Sequence, residues 1–161
     1  IYTSKKITWL NTTIGAIPGA MPVLGGWSGA SNSISPDAWI LFAILFLWQH
    51  PHFYAIALMC KDDYERAGFM MLPVVEEDNI RTNRQIIWHA FLLIPVSLYF
   101  VITGTLGIFY FWGAIFLGLG YLLSSIPLLK DSSIKNAKVL LKASVIYLPL
   151  LLIIILIDKI Y

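Results

Sequence analysis

Residues 48–73, WQHPHFYAIALMCKDDYERAGFMMLP, hold Gln49, His50 and His52 inside an uncharged run and gather Lys61, Asp62, Asp63, Glu65 and Arg66 at its end. Carboxylates grip a hard cation such as Mg²⁺, which completes its octahedron with water and substrate phosphate oxygens. Lys and Arg neutralise the phosphate itself. With Arg81, Arg84, Lys5 and Lys6 expected on the same side, the pattern is that of a diphosphate site. The competing reading is a solvated interface of the kind any multispan protein carries. Tyr64 and Tyr2 either anchor that interface or hydrogen-bond a phosphate.

On an unbroken helix from Ala38, His50 and His52 lie about 18 to 21 Å along the axis. Polar side chains at that depth in a membrane are costly and face a bundle interior or a water-filled cavity, so Gln49, His50 and His52 are expected to point inward. Pro51 frees the Leu47 carbonyl and predicts a local kink. His52 and Asp63 are eleven residues apart, close to three turns, which predicts one shared face spanning about 16 Å. His50 lies about 140° around from Asp63 and fits packing as well as a pocket. For both histidines the competing reading is a polar contact between helices, worth only about 0.6 kcal/mol on average. His89 is read as an interfacial residue and Cys60 as a small apolar filler.

The elements that carry these groups follow from composition. The 161 residues are 58% hydrophobic and 12% charged, against roughly 25% charged in soluble domains. The runs 7–36, 38–60 and 85–129 contain no Asp, Glu, Lys or Arg, and a spanning helix needs about 20 apolar residues. The expected architecture is all-α and polytopic, with five transmembrane helices near 12–31, 38–60, 86–106, 109–129 and 140–158 and polar loops at 61–85 and 130–139. Lys5, Lys6, Lys61, Arg66, Arg81, Arg84, Lys130, Lys135, Lys138 and Lys142 fall on one side and only Lys159 on the other, which orients the loops toward the cytoplasm. A net charge of +2 without a basic stripe speaks against nucleic acid. The single cysteine excludes an intramolecular disulfide. A start at Ile1 with no basic n-region or cleavage site suggests a piece of a longer chain.

Trp48, Gln49, Pro51, His52, Phe53, Asp63, Tyr64, Ala67, Leu72 and Pro73 resemble the pattern of the protoheme IX farnesyltransferases (haem O synthases), a branch of the UbiA-type intramembrane prenyltransferases. Upstream, Tyr2, Thr3, Lys5, Asn11, Gly15, Gly19, Ala20, Pro22 and Trp27 carry a second linked match. Three positions depart from the pattern: Lys6 replaces an Arg, Val23 replaces a Pro, and Leu58 and Met59 stand where related enzymes have a further Asp. The family's first acidic motif is absent, so the resemblance implies the last five helices of a nine-helix bundle, incomplete for catalysis alone. It implies farnesyl transfer from farnesyl diphosphate to a vinyl group of haem B, with Mg²⁺ bound alongside the diphosphate. Catalytic roles would fall to Asp62, Asp63, Lys5 and Lys6, with Asp63 and Asp62 on the metal. Lys5, Lys6, Asn11, Arg66 and Tyr64 would hold diphosphate, and His52, His50 and Gln49 would face haem. The implied setting is the lipid bilayer of a bacterial or mitochondrial inner membrane, with the remaining N-terminal half and a downstream haem-modifying enzyme as partners. Rival readings are a UbiA-type enzyme acting on a quinone or chlorophyll precursor, and a non-catalytic membrane or transporter subunit.

Overall fold

The computed structural model describes Thr8 and residues 10–160, with backbone only at Ile160. Seven α-helices and no strand occur among the described residues: α1 (Asn11–Ser31), α2 (Pro36–Met59), α3 (Lys61–Arg66), α4 (Leu72–Val75), α5 (Ile80–Ile102), α6 (Ile108–Ser125) and α7 (Ile134–Ile160), with a 3₁₀ turn at Ile126–Leu129. Four helices among the described residues are long and apolar enough to cross a membrane: Pro36–Met59, Ile80–Ile102, Ile108–Leu129 and Ile134–Lys159. The fold is all-α and polytopic. The fifth expected span, α1, has 21 residues and is about 31 Å long, which suffices by length. Its glycines, its hydroxyl side chains and Pro18 and Pro22 keep it from being apolar enough to count with those four.

Start signals act where the sequence carries them. Pro36 and Asp37 open α2, with proline's fixed φ at the first helical position and an acid near the positive end of the dipole. Asn32 closes α1 in the left-handed conformation, returning its N–H to the Ser28 carbonyl at 2.9 Å. Pro51 lies inside α2 without ending it. The polar loop between α2 and α5 carries the short helices α3 and α4, and Glu76 at the end of α4 clasps the start of α5. Its carboxylate accepts from the Arg81 N–H at 2.7 Å and from the Thr82 N–H and hydroxyl at 2.9 Å each, occupying donors at the start of α5.

Helix α2 is the centre. It packs on α1, α5 and α7, and α6 closes the ring between α5 and α7, leaving α1 outside the ring against α2. Tyr54, Tyr110, Tyr121, Tyr147, Ile44, Ile86, Leu93 and Leu151 fill the interior, while Phe116, Leu123, Ile102 and Leu156 stand on the exterior. A bundle apolar outside as well as inside fits lipid as its solvent. At the end remote from α3, the Asp158 carboxylate accepts from the Gly107 and Tyr110 N–H groups, so α7 caps α6. Thr105 donates to Asp37 at 3.1 Å beside that contact.

Membrane helices approach most closely where side chains are small. A Cβ on Gly118 would stand 2.8 Å from Ile94 Cγ1, and one on Gly113 2.8 Å from Ile154 Cδ1, so α6 meets both neighbours through glycine. Gly118→Ala should therefore destabilise the bundle by about 1–3 kcal/mol through overpacking, read as a lower midpoint in detergent unfolding. Adding Ile94→Ala should recover part of the loss; no recovery would show that the α5–α6 contact is not the cause.

Candidate functional site

The two histidines of α2 leave the helix in different directions. His50 is fully buried. Its Nδ1 lies 2.8 Å from the Phe46 carbonyl, which only accepts, so Nδ1 carries the proton and Nε2 accepts from the Thr13 hydroxyl at 3.2 Å. The ring stacks on His89 of α5 at 3.9 Å and 12°, and His89 Nδ1 donates in the same way to the Gln85 carbonyl at 2.7 Å. His50 thus ties α1, α2 and α5 together, with both nitrogens engaged.

His52 turns toward α7. Its Nδ1 lies 2.8 Å from Ser144 Oγ, and its ring stacks on Trp48 at 4.7 Å. The Trp48 indole N–H donates to the Ser144 carbonyl at 2.8 Å. Gln49 is three residues before His52 and so shares its face. Gln49 packs against Gly19 of α1, where any Cβ would strike its amide oxygen. Its Nε2 is buried without a partner among the described residues.

Gln49 and His52 therefore mark the sector of α2 that lies between α1 and α7, helices whose backbones do not pack on one another. Leu41 continues that face and lines a hollow of about 350 Å³ with Trp27, Asp37, Leu156 and Lys159. There the Lys159 ammonium sits over the Trp27 ring at 5.9 Å.

The charged end differs from the expected geometry. Helix α2 stops at Met59, Cys60 has φ −115° and ψ 29°, and a separate α3 begins at Lys61. The eleven-residue register from His52 to Asp63 is broken there, and the single helix face expected for them does not exist. Lys61 donates to the Glu76 carbonyl at 3.0 Å, fastening the start of α3 to the end of α4. Asp62 and Asp63 are exposed and, as neighbours on a helix, project about 100° apart. Asp63 is paired with Arg66, and both side chains are largely exposed. Burial, with a smaller contribution from Cys60, pushes the Tyr64 phenol above its ordinary range, so Tyr64 offers a neutral O–H.

Asn11 is buried, donates to the Met70 carbonyl at 2.9 Å and accepts from Thr12 at 3.2 Å, which commits its amide to holding α1 against the loop before α4. Lys5 and Lys6, with Tyr2 and Thr3, lie outside the described residues. No group of three or more His, Cys, Asp or Glu that could hold a metal occurs among the described residues. Asp62 and Asp63 fit Mg²⁺ only as one or two carboxylates of a site whose other ligands are phosphate and water.

The model of the UbiA prenyltransferase family matches residues 1–148. The chain belongs to this family. Curated relatives, each named protoheme IX farnesyltransferase, include those of Solibacter usitatus (48% identical over 160 residues, 99% of this chain and 55% of the relative) and Salinibacter ruber (42% over 159 residues, 98% and 56%). The relative from Thermus thermophilus is 40% identical over 153 residues, 94% of this chain and 25% of its own length. This UbiA chain spans about half the length of the first two. No solved structure matches it.

Sequence reasoning missed His89, Glu76 and Ser144 in this UbiA chain. Ser144 had a signal: with Tyr147 it is the only polar side chain between Lys142 and Asp158. His89 and Glu76 act through partners that no local pattern announces. If His50 is a packing residue, Thr13→Val and His50→Phe should couple by about 0.6 kcal/mol in a double-mutant cycle of detergent unfolding. Strictly additive effects would remove the Thr13–His50 bond from the account.

Proposed function

We propose that this chain is the haem-facing and part of the diphosphate-facing portion of an enzyme that transfers a farnesyl group from farnesyl diphosphate to a vinyl group of haem B, forming haem O and releasing diphosphate. The observation that carries the reading is the match of nearly the whole chain, at 40–48% identity, to relatives named protoheme IX farnesyltransferase. The arrangement of the chain supports it, with a half-buried imidazole inside an apolar bundle and a charged mouth at α3.

At that mouth Asp63, with Asp62, would hold Mg²⁺, which supplies positive charge to the departing diphosphate. Arg66 and Lys61 lie beside them, and Lys5 and Lys6 complete the basic set. Because Arg66 already pairs with Asp63, an incoming diphosphate competes for a guanidinium that is preset at the site. Tyr64 adds a neutral donor, and Asn11 supports the site by anchoring α1. Charge stabilisation at the leaving group is where such donors act most strongly. The apolar bundle keeps water from the allylic carbon until the vinyl carbon attacks, and water then supplies the hydroxyl of the new side chain.

His52 and Gln49 face haem, whereas His50 serves packing. The 61–85 and 130–139 segments lie on the cytoplasmic or matrix side of an inner membrane. The remainder of the relatives' length and a downstream haem-modifying enzyme are the partners.

The test uses the full-length protein in lipid, with haem O formation and haem binding followed together. Asp63→Asn should lower turnover by roughly 100-fold with haem binding kept, and His52→Ala should weaken haem binding. Undiminished turnover in Asp63→Asn would remove its assigned role. Turnover with an aromatic acid acceptor in place of haem B would replace the proposed substrate.

A further inference from the structure

We infer that Ser144 is a positioning residue that fixes the tautomer of His52 and aims the His52 Nε2 lone pair at the haem iron rather than at a propionate. This rests on the reading that His52 faces haem.

Ser144 Oγ has three polar neighbours: the Leu141 carbonyl at 2.7 Å, His52 Nδ1 at 2.8 Å and the Tyr121 phenol, whose O–H can donate to a Ser144 lone pair. A hydroxyl carries one proton and accepts through its lone pairs, while a carbonyl only accepts. The first two contacts are hydrogen bonds together only if Ser144 donates to Leu141 and His52 Nδ1–H donates to Ser144. Ser144 is fully buried, so no water competes for its proton. Its own backbone carbonyl is held by the Trp48 indole, and the Trp48 ring stacks on His52. One turn of α7 therefore fixes the imidazole at its nitrogen and, through Trp48, at its face.

With Nδ1 protonated, a neutral His52 has an unprotonated Nε2. That nitrogen has no hydrogen bond among the described residues, and it is not among their sealed, unpartnered buried atoms. A neutral ring is also the less costly form inside a membrane. An Nε2 lone pair cannot donate to a carboxylate, so a propionate is a mismatch, whereas a Lewis-acidic iron is a match. The same logic governs metal-binding histidines generally: the second ring nitrogen donates to a neighbour that sets tautomer and orientation. His50 fails as the iron-facing group because Thr13 already occupies its Nε2.

The experiment is nitrogen NMR of ¹⁵N-histidine-labelled full-length enzyme in lipid nanodiscs, with His52 assigned as the signal lost in His52→Gln, followed by ferric haem titration of the same samples. Wild-type His52 should show Nδ1–H with a bare Nε2. Ser144→Ala should shift the ring toward Nε2–H and weaken haem affinity by roughly 10–100-fold, with loss of the nitrogen-ligated haem spectrum. Ser144→Thr, which keeps the hydroxyl, should restore both. A wild-type His52 protonated at Nε2, alone or as imidazolium, overturns the proposal, as does an unchanged tautomer in Ser144→Ala. A tautomer shift with haem affinity unchanged upholds Ser144's hold on His52 and instead removes haem as the ligand of that nitrogen.

Discussion

Inside a bilayer a polar group finds its partner within the protein or goes without, and a buried group left unsatisfied costs about 1–3 kcal/mol. Helix α2 concentrates this constraint, because Trp48, Gln49, His50 and His52 occur within one and a half turns. Their partners come from three other helices: Thr13 on α1, His89 on α5 and Ser144 on α7. Tyr121 of α6 reaches the Trp48 carbonyl at 3.4 Å. The central place of α2 follows from this, since no helix at the edge of the ring could have its polar groups met from so many sides.

The two ends of the bundle are held by one device. Glu76 occupies donors at the start of α5, and Asp158 occupies those at the start of α6. Each is a carboxylate set against the positive end of a helix dipole from a different element. The Glu76 clasp also sets the mouth of the proposed site: with Lys61 bound to the Glu76 carbonyl, α3 is drawn toward α4 and carries Asp62, Asp63 and Arg66 with it. Packing through Gly113 and Gly118 then decides how tightly α6 closes the ring.

The apolar runs made the helical, membrane-spanning fold legible, because length and hydropathy alone fix what lipid can accept. The charged mouth and the buried polar cluster were legible too, from residue types that lipid admits only at a cost. The end of α2 was legible to within a residue, at 60 expected against Met59 found, but the turn into α3 that breaks the His52–Asp63 register was not, since nothing around MCKDD announces it. The early start of α5 at Ile80 was hidden as well, because it depends on Glu76, which lies in the preceding loop. The partners of His50 and His52 were out of reach for a related reason: they are 37 and 92 residues away, and only the assembled bundle brings them within hydrogen-bond distance.

The break at Cys60 and the divergence of the two histidines reshape the buried end of the site. Residues 50 and 52 are about 200° apart on a helix and residues 49 and 52 about 60°. Pro51 does not undo this, because α2 runs through it. A ligand that meets His52 is thus closer to Gln49 than to His50: His50 has both nitrogens engaged, whereas among the described residues the buried Gln49 Nε2 and the His52 Nε2 have no hydrogen-bond partner. Both groups belong to the sector between α1 and α7, two helices whose backbones do not pack on one another, with Gln49 lying against Gly19 of α1. The histidine pair suggested by the sequence therefore separates into His50, which has both nitrogens engaged between helices, and His52, whose Nε2 has no hydrogen-bond partner among the described residues.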